Sequence, residues 1–446
     1  MRTLEQFALA CGGRLVGADR PFTAVSSDTR ALAAGELFVA LRGPNFNGND
    51  FVVAAEKVGA AGAVVDTEQA VAISQIVVSD TQAALESAAS RWRESYGNPL
   101  IGVAGSNGKT TVKEMTSAIL SQAGACLATR GNLNNHIGVP LTLLRLESQH
   151  RYAVVEMGAN HPGELAALVK LARPTIGLIT NAGAEHLEGF GSLEGAARAE
   201  GEMVAGLESG ATAIINADDE FAVMWRGMTR ARISTFGLEP GADFTATDVR
   251  TDIGADGFVT HYTLVSPMGR AHVEMKLAGK HNVANSLCAA AAATAAGAKM
   301  EHVVAGLGAV QAVKGRLQFK KTRHGAWLID DSYNANPSSV HAGIEVLERL
   351  AGRKWLVFGQ MGELGSFAAE AHTEIGAFAR AHGIERLFAV GEDAKLTVKE
   401  FGAGAQWFPD TRQLAKAVDA ALTPEVRLLI KGSRSNRLER VVEALQ

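Results

Sequence analysis

Leu100-Ile101-Gly102-Val103-Ala104-Gly105-Ser106-Asn107-Gly108-Lys109-Thr110-Thr111 is an apolar run, then a glycine turn, then the polar start of a segment carrying Val112, Met115 and Ile119 at helical spacing. The pattern is strand, turn, helix. Glycines let backbone N–H groups face a phosphate chain, and the helix N-terminus adds partial positive charge. Lys109 would neutralise the β- and γ-phosphates, and Thr110 would ligate Mg²⁺. The turn departs from the usual P-loop, because the residue five before Gly108 is Val103 and not glycine.

Outward from this turn, buried-strand runs recur at Tyr152–Val155, Ile176–Thr180 and Thr212–Asn216, separated by segments long enough for crossover helices. That spacing predicts an α/β fold with a doubly wound, mostly parallel central sheet. Residues 240–277 alternate as an antiparallel excursion, and a helix from about Asn282 to Ala296 ends at Gly297. Upstream, Glu36–Leu41, Gly62–Val65 and Gln75–Val78 read as strands of a small α/β domain. Downstream of Gly315, runs at Ala326–Ile329, Trp355–Phe358, Arg386–Val390 and Val426–Ile430 predict another parallel α/β unit without a dinucleotide fingerprint. The expected domains are 1–95, 96–312 and 313–446, in keeping with 446 residues at about 150 per domain.

Composition narrows the function classes. Against 47 acidic residues stand 43 Lys and Arg, net −4, which removes the broad basic field of a nonspecific nucleic-acid binder. Cys11, Cys126 and Cys288 are too few and scattered for a disulfide framework or structural zinc. The longest apolar stretch, Ser286–Ala298, is shorter than the ~20 residues of a membrane helix. A cytoplasmic protein without nucleic-acid partner or membrane insertion is expected.

Two further features fall where ligands bind in such sheets, just beyond strand C-termini. Glu156 follows the Tyr152–Val155 run and suits a Mg²⁺ ligand, and His186 follows Ile176–Thr180 on the same rim as Lys109. A segment with Arg198, Glu200 and Glu202 comes next, its plain reading an exposed charged face.

With these residues in hand, the chain resembles the Mur ligases, ATP-dependent amide-forming enzymes of peptidoglycan precursor synthesis that use the shorter Gly-x-x-Gly-Lys-Thr loop. The motifs that carry the resemblance are Gly131–Pro140 (GNLNNHIGVP), Glu156–His161 (EMGANH), His186–Gly191 (HLEGFG), Asp330–Pro337 (DDSYNANP) and Lys431–Arg434 (KGSR). The resemblance implies an N-terminal UDP-sugar domain, a central ATPase and a Rossmann-like C-terminal domain. It is strongest to the branch that joins D-alanyl-D-alanine to a UDP-muramoyl tripeptide, with ATP and Mg²⁺ as cofactors and a monomer expected.

The resemblance also implies residue roles. Lys109, Glu156, His186 and Arg316 would be catalytic. Gly105, Ser106, Asn107, Gly108, Lys109, Thr110 and Thr111 would hold the ATP phosphates, Asn282 and Asn285 the adenine, Arg316 the phosphate region and Asp331 the ribose. Thr110, Glu156, His186 and Glu200 would serve the metals. Asp28, Thr29, Arg30, Asn47, Asn132, Asn134 and Asn135 would bind the sugar nucleotide, and Lys431, Ser433 and Arg434 the dipeptide. Asn47 and Asn49 stand where the family commonly has Asp and His. Glu200 stands where many members carry a carbamylated lysine, so a permanent carboxylate is expected to replace the carbamate, with reach as the geometric question. A folylpolyglutamate-type ligase and a nucleotide-gated ATPase are the competing readings. The first would not need the Gly131–Pro140 motif, and the second would release ADP without an acceptor.

Overall fold

All five residues of the strand Leu100–Ala104 are buried, and their side chains feed two different cores. Leu100 and Ala104 point to one face of the sheet, Ile101 and Val103 to the other. A strand covered on both faces reads as a continuous apolar run, as parallel sheets require. The computed structural model describes residues 2–254 and 257–446.

The central sheet is six-stranded and wholly parallel, in the order Cys126–Ala128, Tyr152–Glu156, Leu100–Ala104, Ile176–Ile179, Thr212–Asn216, Arg232–Phe236. The chain moves to one side of Leu100–Ala104 and then crosses to the other. The crevice at the C-terminal ends of these strands is therefore the topological switch point, where open α/β sheets bind ligands. The helix Lys109–Ala123 starts there and buries Val112, Met115, Ile119 and Leu120 against the sheet. The alanine-rich helix Lys280–Ala295 is buried nearly all round between this sheet and an antiparallel sheet of Thr245–Gly254, Gly257–Ser266 and Gly269–Met275. The antiparallel excursion thus serves as the outer cover of a core helix.

The N-terminal five-stranded sheet runs Arg14–Val16, Ser74–Val77, Gly62–Val65, Leu37–Val39, Val25–Ser26, with only the Arg14–Val16 pairing antiparallel. It shares one continuous core with the central unit through Ala84, Leu85, Ala88 and Ala89 of the helix Thr81–Glu94. Arg91 and Arg93, just before the expected domain boundary at 95, form the last turn of this helix. Arg93 is buried there, donating to the carbonyls of Ala172 (2.7 Å), Arg173 (2.8 Å) and Tyr96.

The C-terminal sheet is ordered Gln318–Lys321, Trp327–Asp331, Val426–Lys431, Arg353–Gly359, Arg386–Val390, Ala405–Phe408, parallel except at the first strand. The C-terminal ends of Trp327–Asp331 and Val426–Lys431 meet the central crevice. Leu187 and Phe258 join its core, Phe258 with its ring edge-on to Phe319, 6.2 Å between centroids. Among the described residues no helix is long and apolar enough to cross a membrane.

Candidate active site

The glycine turn is held by the neighbouring strand end. Ser106 N donates to Asn181 O (2.9 Å), Asn107 N to Asn181 Oδ1 (3.0 Å), and Thr180 Oγ1 to Asn107 O (2.6 Å). Gly108 has φ +86 and lies against Asn285, so a side chain there would meet Asn285 Oδ1 at 2.5 Å. The turn opens into a cleft of about 620 Å³ between the central and C-terminal units. Of the residues singled out in sequence, Ser106 to Thr111, Asn132, Asn134, Asn135, Glu156, His186, Asn282, Asn285, Arg316, Asp331 and Lys431 line it.

Lys109 is nearly buried and turned back on its own turn. Its Nζ donates to Ser106 O (3.1 Å), to Gly105 O and to Glu185 Oε1 (3.1 Å). Burial disfavours the ammonium, yet Glu185 and Glu200 nearby hold its pKa above the usual lysine value. For Glu185 burial is likewise opposed by Lys109 and His186, and its carboxyl is held below the usual range. Glu185 directly precedes the His186–Gly191 motif and carries no role in the resemblance. Its one signal is its place beside His186.

Glu156 is buried at the end of its strand. Its Oε1 accepts from Asn134 Nδ2 (2.9 Å) and from Thr110 Oγ1 (3.3 Å), and Arg316 Nη2 donates to the same hydroxyl (3.1 Å). Its Oε2 is buried without a hydrogen-bond partner. An unpaired buried carboxylate oxygen is costly unless a cation faces it. The pairing of Glu156 with Thr110 is thus a donor set that fits Mg²⁺, which typically takes one or two carboxylates and completes its shell with phosphates and water. Arg316 is braced over the Tyr333 ring at 4.6 Å.

His186 takes a left-handed backbone, φ +53. Its Nε2 faces Glu185 (3.5 Å) and its Nδ1 faces Glu363 of the C-terminal unit (2.5 Å). More bonds cross the same seam: Asn336 Nδ2 donates to Asn107 Oδ1 (2.8 Å) and Glu185 Oε2 (3.3 Å), and Asn107 Nδ2 to Ser338 Oγ (3.1 Å). The described arrangement is therefore one in which the C-terminal unit closes on the glycine turn.

Glu200 is not on an exposed face. It is 6% exposed on the helix Leu193–Ala205, and its Oε2 accepts from Gly105 N (2.7 Å), behind the turn and outside the cleft lining. Burial pushes its carboxyl up to about 7, with Lys109 opposing and Glu185 adding to the rise. Gly105, with its N–H on Glu200, is likewise behind the cleft surface.

Where the resemblance expects adenine, Asn282 Nδ2 donates to Ala278 O (2.7 Å) and Asn285 Nδ2 to Asn282 Oδ1 (3.3 Å). Asn282 is inside the helix, whose first flanking residue is Gly279, so the helix starts two residues earlier than the sequence suggests. His281 is half-buried beside them, and desolvation lowers its pKa to about 4, leaving a neutral ring on the cleft wall.

The three residues of the Lys431–Arg434 motif part company. Lys431 is 2% exposed, and its Nζ donates to Asp331 Oδ2 (2.6 Å) and Asn334 O (3.0 Å). Ser433 Oγ accepts from Gly362 N (2.7 Å), away from the cleft lining. Arg434 is exposed, its guanidinium 5.8 Å from the Tyr333 ring that also carries Arg316. Lys431 therefore fixes Asp331 rather than reaching outward. Lys431→Met is expected to cost about 3–5 kcal/mol in denaturant unfolding, because Asp331 stays buried without its partner. Adding Asp331→Asn should recover most of that loss; a single variant as stable as the parent would refute the pairing.

The remaining sequence-derived residues sit in the N-terminal unit and do not line this cleft. Arg30 forks onto Asp28 (Nε–Oδ1 2.9 Å, Nη2–Oδ2 2.7 Å), with Thr29 half-buried between them. Asn47 Oδ1 accepts from Asn49 N (3.1 Å) and Nδ2 (2.9 Å), and Asn49 Nδ2 reaches Asp66 (2.8 Å). The two asparagines that replace Asp and His in the family pattern thus bond each other.

A parallel switch-point sheet with a short glycine-lysine turn, closed by a second parallel domain, defines a class. The chain belongs to the Mur ligase family: residues 21–95 match its catalytic-domain model, 103–293 the middle domain and 315–434 the glutamate ligase domain. At full length it is 42% identical to the UDP-N-acetylmuramoyl-tripeptide–D-alanyl-D-alanine ligase of Escherichia coli (strain K12), covering 100% of this chain and 98% of that one. The crystal structure of MurF from Acinetobacter baumannii superposes with a TM-score of 0.90 at 32% identity, covering 99% of this chain and 98% of that chain. MurF ligase from Thermotoga maritima in complex with ADP gives 0.82 at 25% identity, over 95% and 96% of the two chains.

Proposed function

We propose that the chain is an ATP-dependent ligase that joins D-alanyl-D-alanine to UDP-N-acetylmuramoyl-tripeptide, forming the pentapeptide precursor of peptidoglycan with release of ADP and phosphate. The observation that carries the reading is the full-length similarity to ligases of that name, joined to a cleft with a phosphate-type turn and an unpartnered Glu156 carboxylate oxygen. Residues 1–95 take the UDP-sugar end through Asp28, Thr29, Arg30 and Asn47. Residues 96–312 form the ATPase unit, and 313–446 close over ATP and bring the dipeptide.

Chemically, the terminal carboxylate of the tripeptide attacks the γ-phosphoryl group, giving an acyl phosphate, and the dipeptide amine then attacks the acyl carbon and expels phosphate. No enzyme nucleophile is needed, so the chain contributes position and charge. Turn N–H groups and Lys109 hold the phosphates, and Arg316, braced on Tyr333, spreads charge from the other wall. Asn282 and Asn285 flank adenine, and Asp331, fixed by Lys431, takes the ribose hydroxyls. Asn132, Asn134 and Asn135 line the sugar-phosphate path. Thr110, Glu156 and His186 are the residues that would hold Mg²⁺, which would neutralise the transferring phosphate. A single chain assembles this whole cleft, so a monomer suffices, and the cytoplasm supplies ATP to it.

ADP release is expected only when UDP-muramoyl tripeptide and D-alanyl-D-alanine are both present. ADP formed without them would favour a plain ATPase and sink this reading. Arg434→Ala should raise KM for the dipeptide several-fold through loss of a charge-assisted donor; an unchanged KM and kcat would remove that role.

A further inference from the structure

We propose that Glu185 is the carboxylate that faces the cations of the cleft and that Glu200 is instead a positioning residue that holds the glycine turn. The inference rests on the ATP-dependent reading above and assigns the two acids within it.

Glu200 lacks the freedom to do both tasks. Its Oε2 accepts from the Gly105 N–H at 2.7 Å under a residue with φ +121, and the side chain does not line the cleft. Bringing that carboxylate forward would leave a buried backbone N–H without a partner, a cost of roughly 1–3 kcal/mol. Glu185 is placed the other way. It lines the cleft, with Oε1 against Lys109 Nζ (3.1 Å) and His186 Nε2 (3.5 Å) and Oε2 against Asn336 Nδ2 (3.3 Å).

The pairing with Lys109 is what makes Glu185 available. When ATP enters, a turn lysine is drawn to its β- and γ-phosphates. Lys109 then leaves Glu185 Oε1, and a nearly buried carboxylate is left facing the phosphates. Glu156 Oε2 already stands unpartnered across the same cleft. Two buried acids beside a polyphosphate demand compensating charge, and Mg²⁺ bound by one or two carboxylates plus phosphate oxygens supplies it. Among the described residues no three His, Cys, Asp or Glu side chains form a ready metal cage, which fits cations that arrive with the nucleotide.

The test counts Mn²⁺ bound per chain, by electron paramagnetic resonance of the free ion, at saturating β,γ-methylene ATP. The parent should bind two. Glu185→Gln should lose the second ion or weaken it by at least the roughly 10- to 100-fold that loss of even an outer-shell partner costs. Glu200→Gln, which keeps an oxygen for the Gly105 N–H, should bind both as the parent does. Glu185→Asp keeps the charge that Lys109 needs, guarding against a folding defect, and should weaken the second ion alone. Retention of parental affinity in either Glu185 variant, or loss of the second ion in Glu200→Gln, overturns the assignment. A parent that ligates its substrates with a single Mn²⁺ overturns it while sparing the functional reading, whereas a parent with neither ligation nor nucleotide-dependent Mn²⁺ binding sinks both.

Discussion

Lys109→Ala is expected to lower kcat by about a thousandfold, near the upper end of what losing one charge-stabilising donor costs, ~4 kcal/mol. From sequence alone, a loop lysine that supplies phosphate charge rather than core packing should leave folding little changed when removed. The structure changes that second half. Lys109 is nearly buried against Glu185, so its loss leaves an acid uncompensated and should also lower Tm. Lys109→Ala with Glu185→Gln should regain most of the Tm and none of the turnover. The cycle is checked by thermal melts beside ADP-release rates. A single variant that keeps most of its ligase rate removes the phosphate role, and one whose melt matches the parent removes the buried pair.

Gly105→Ala should be the most damaging change among the turn residues. At φ +121 a side chain is strained, and its Cβ would fall 2.0 Å from Thr180 Oγ1 and 2.7 Å from Thr180 N. The second contact is backbone of the adjacent strand end, which cannot swing aside. Strain of this kind costs up to about 3 kcal/mol before the clash is counted. The turn must shift, breaking the Gly105 N–H bond to Glu200 and the geometry of the phosphate-facing amides together. Expected are a Tm several degrees lower and nucleotide affinity reduced by an order of magnitude or more. Parental ADP affinity by calorimetry would show that the turn tolerates a side chain there and that the argument from Thr180 is wrong.

The interior strands were legible because they are buried on both faces. Tyr152–Glu156, Ile176–Ile179 and Thr212–Asn216 each follow an apolar run within a residue of its end. The missed strands include the edges Cys126–Ala128, Arg232–Phe236, Gln318–Lys321 and Ala405–Phe408, with Arg14–Val16 and Val25–Ser26 in the N-terminal sheet. Edge strands keep exposed or half-exposed polar residues, as with Arg232 and Ser234, and so carry a broken apolar signature. The burial of Arg93 was illegible for a related reason. A guanidinium satisfied by three carbonyls can be buried, and composition does not reveal its partners.

By itself the sequence determined the strand–turn–helix at Leu100–Thr111, the parallel central sheet and, through motifs spread along the chain, the kinship with Mur ligases. Those are local properties: turn chemistry, periodicity and residue identity at fixed spacing. Tertiary structure alone decided which charges meet. Asp331 and Lys431 lie 100 residues apart and pair at 2.6 Å, and Glu200 reaches Gly105 across 95 residues. Glu185 and Glu200 are indistinguishable as acids in sequence. What separates them is that one follows a strand end that opens into the crevice, while the other sits on a helix whose inner face backs onto the turn.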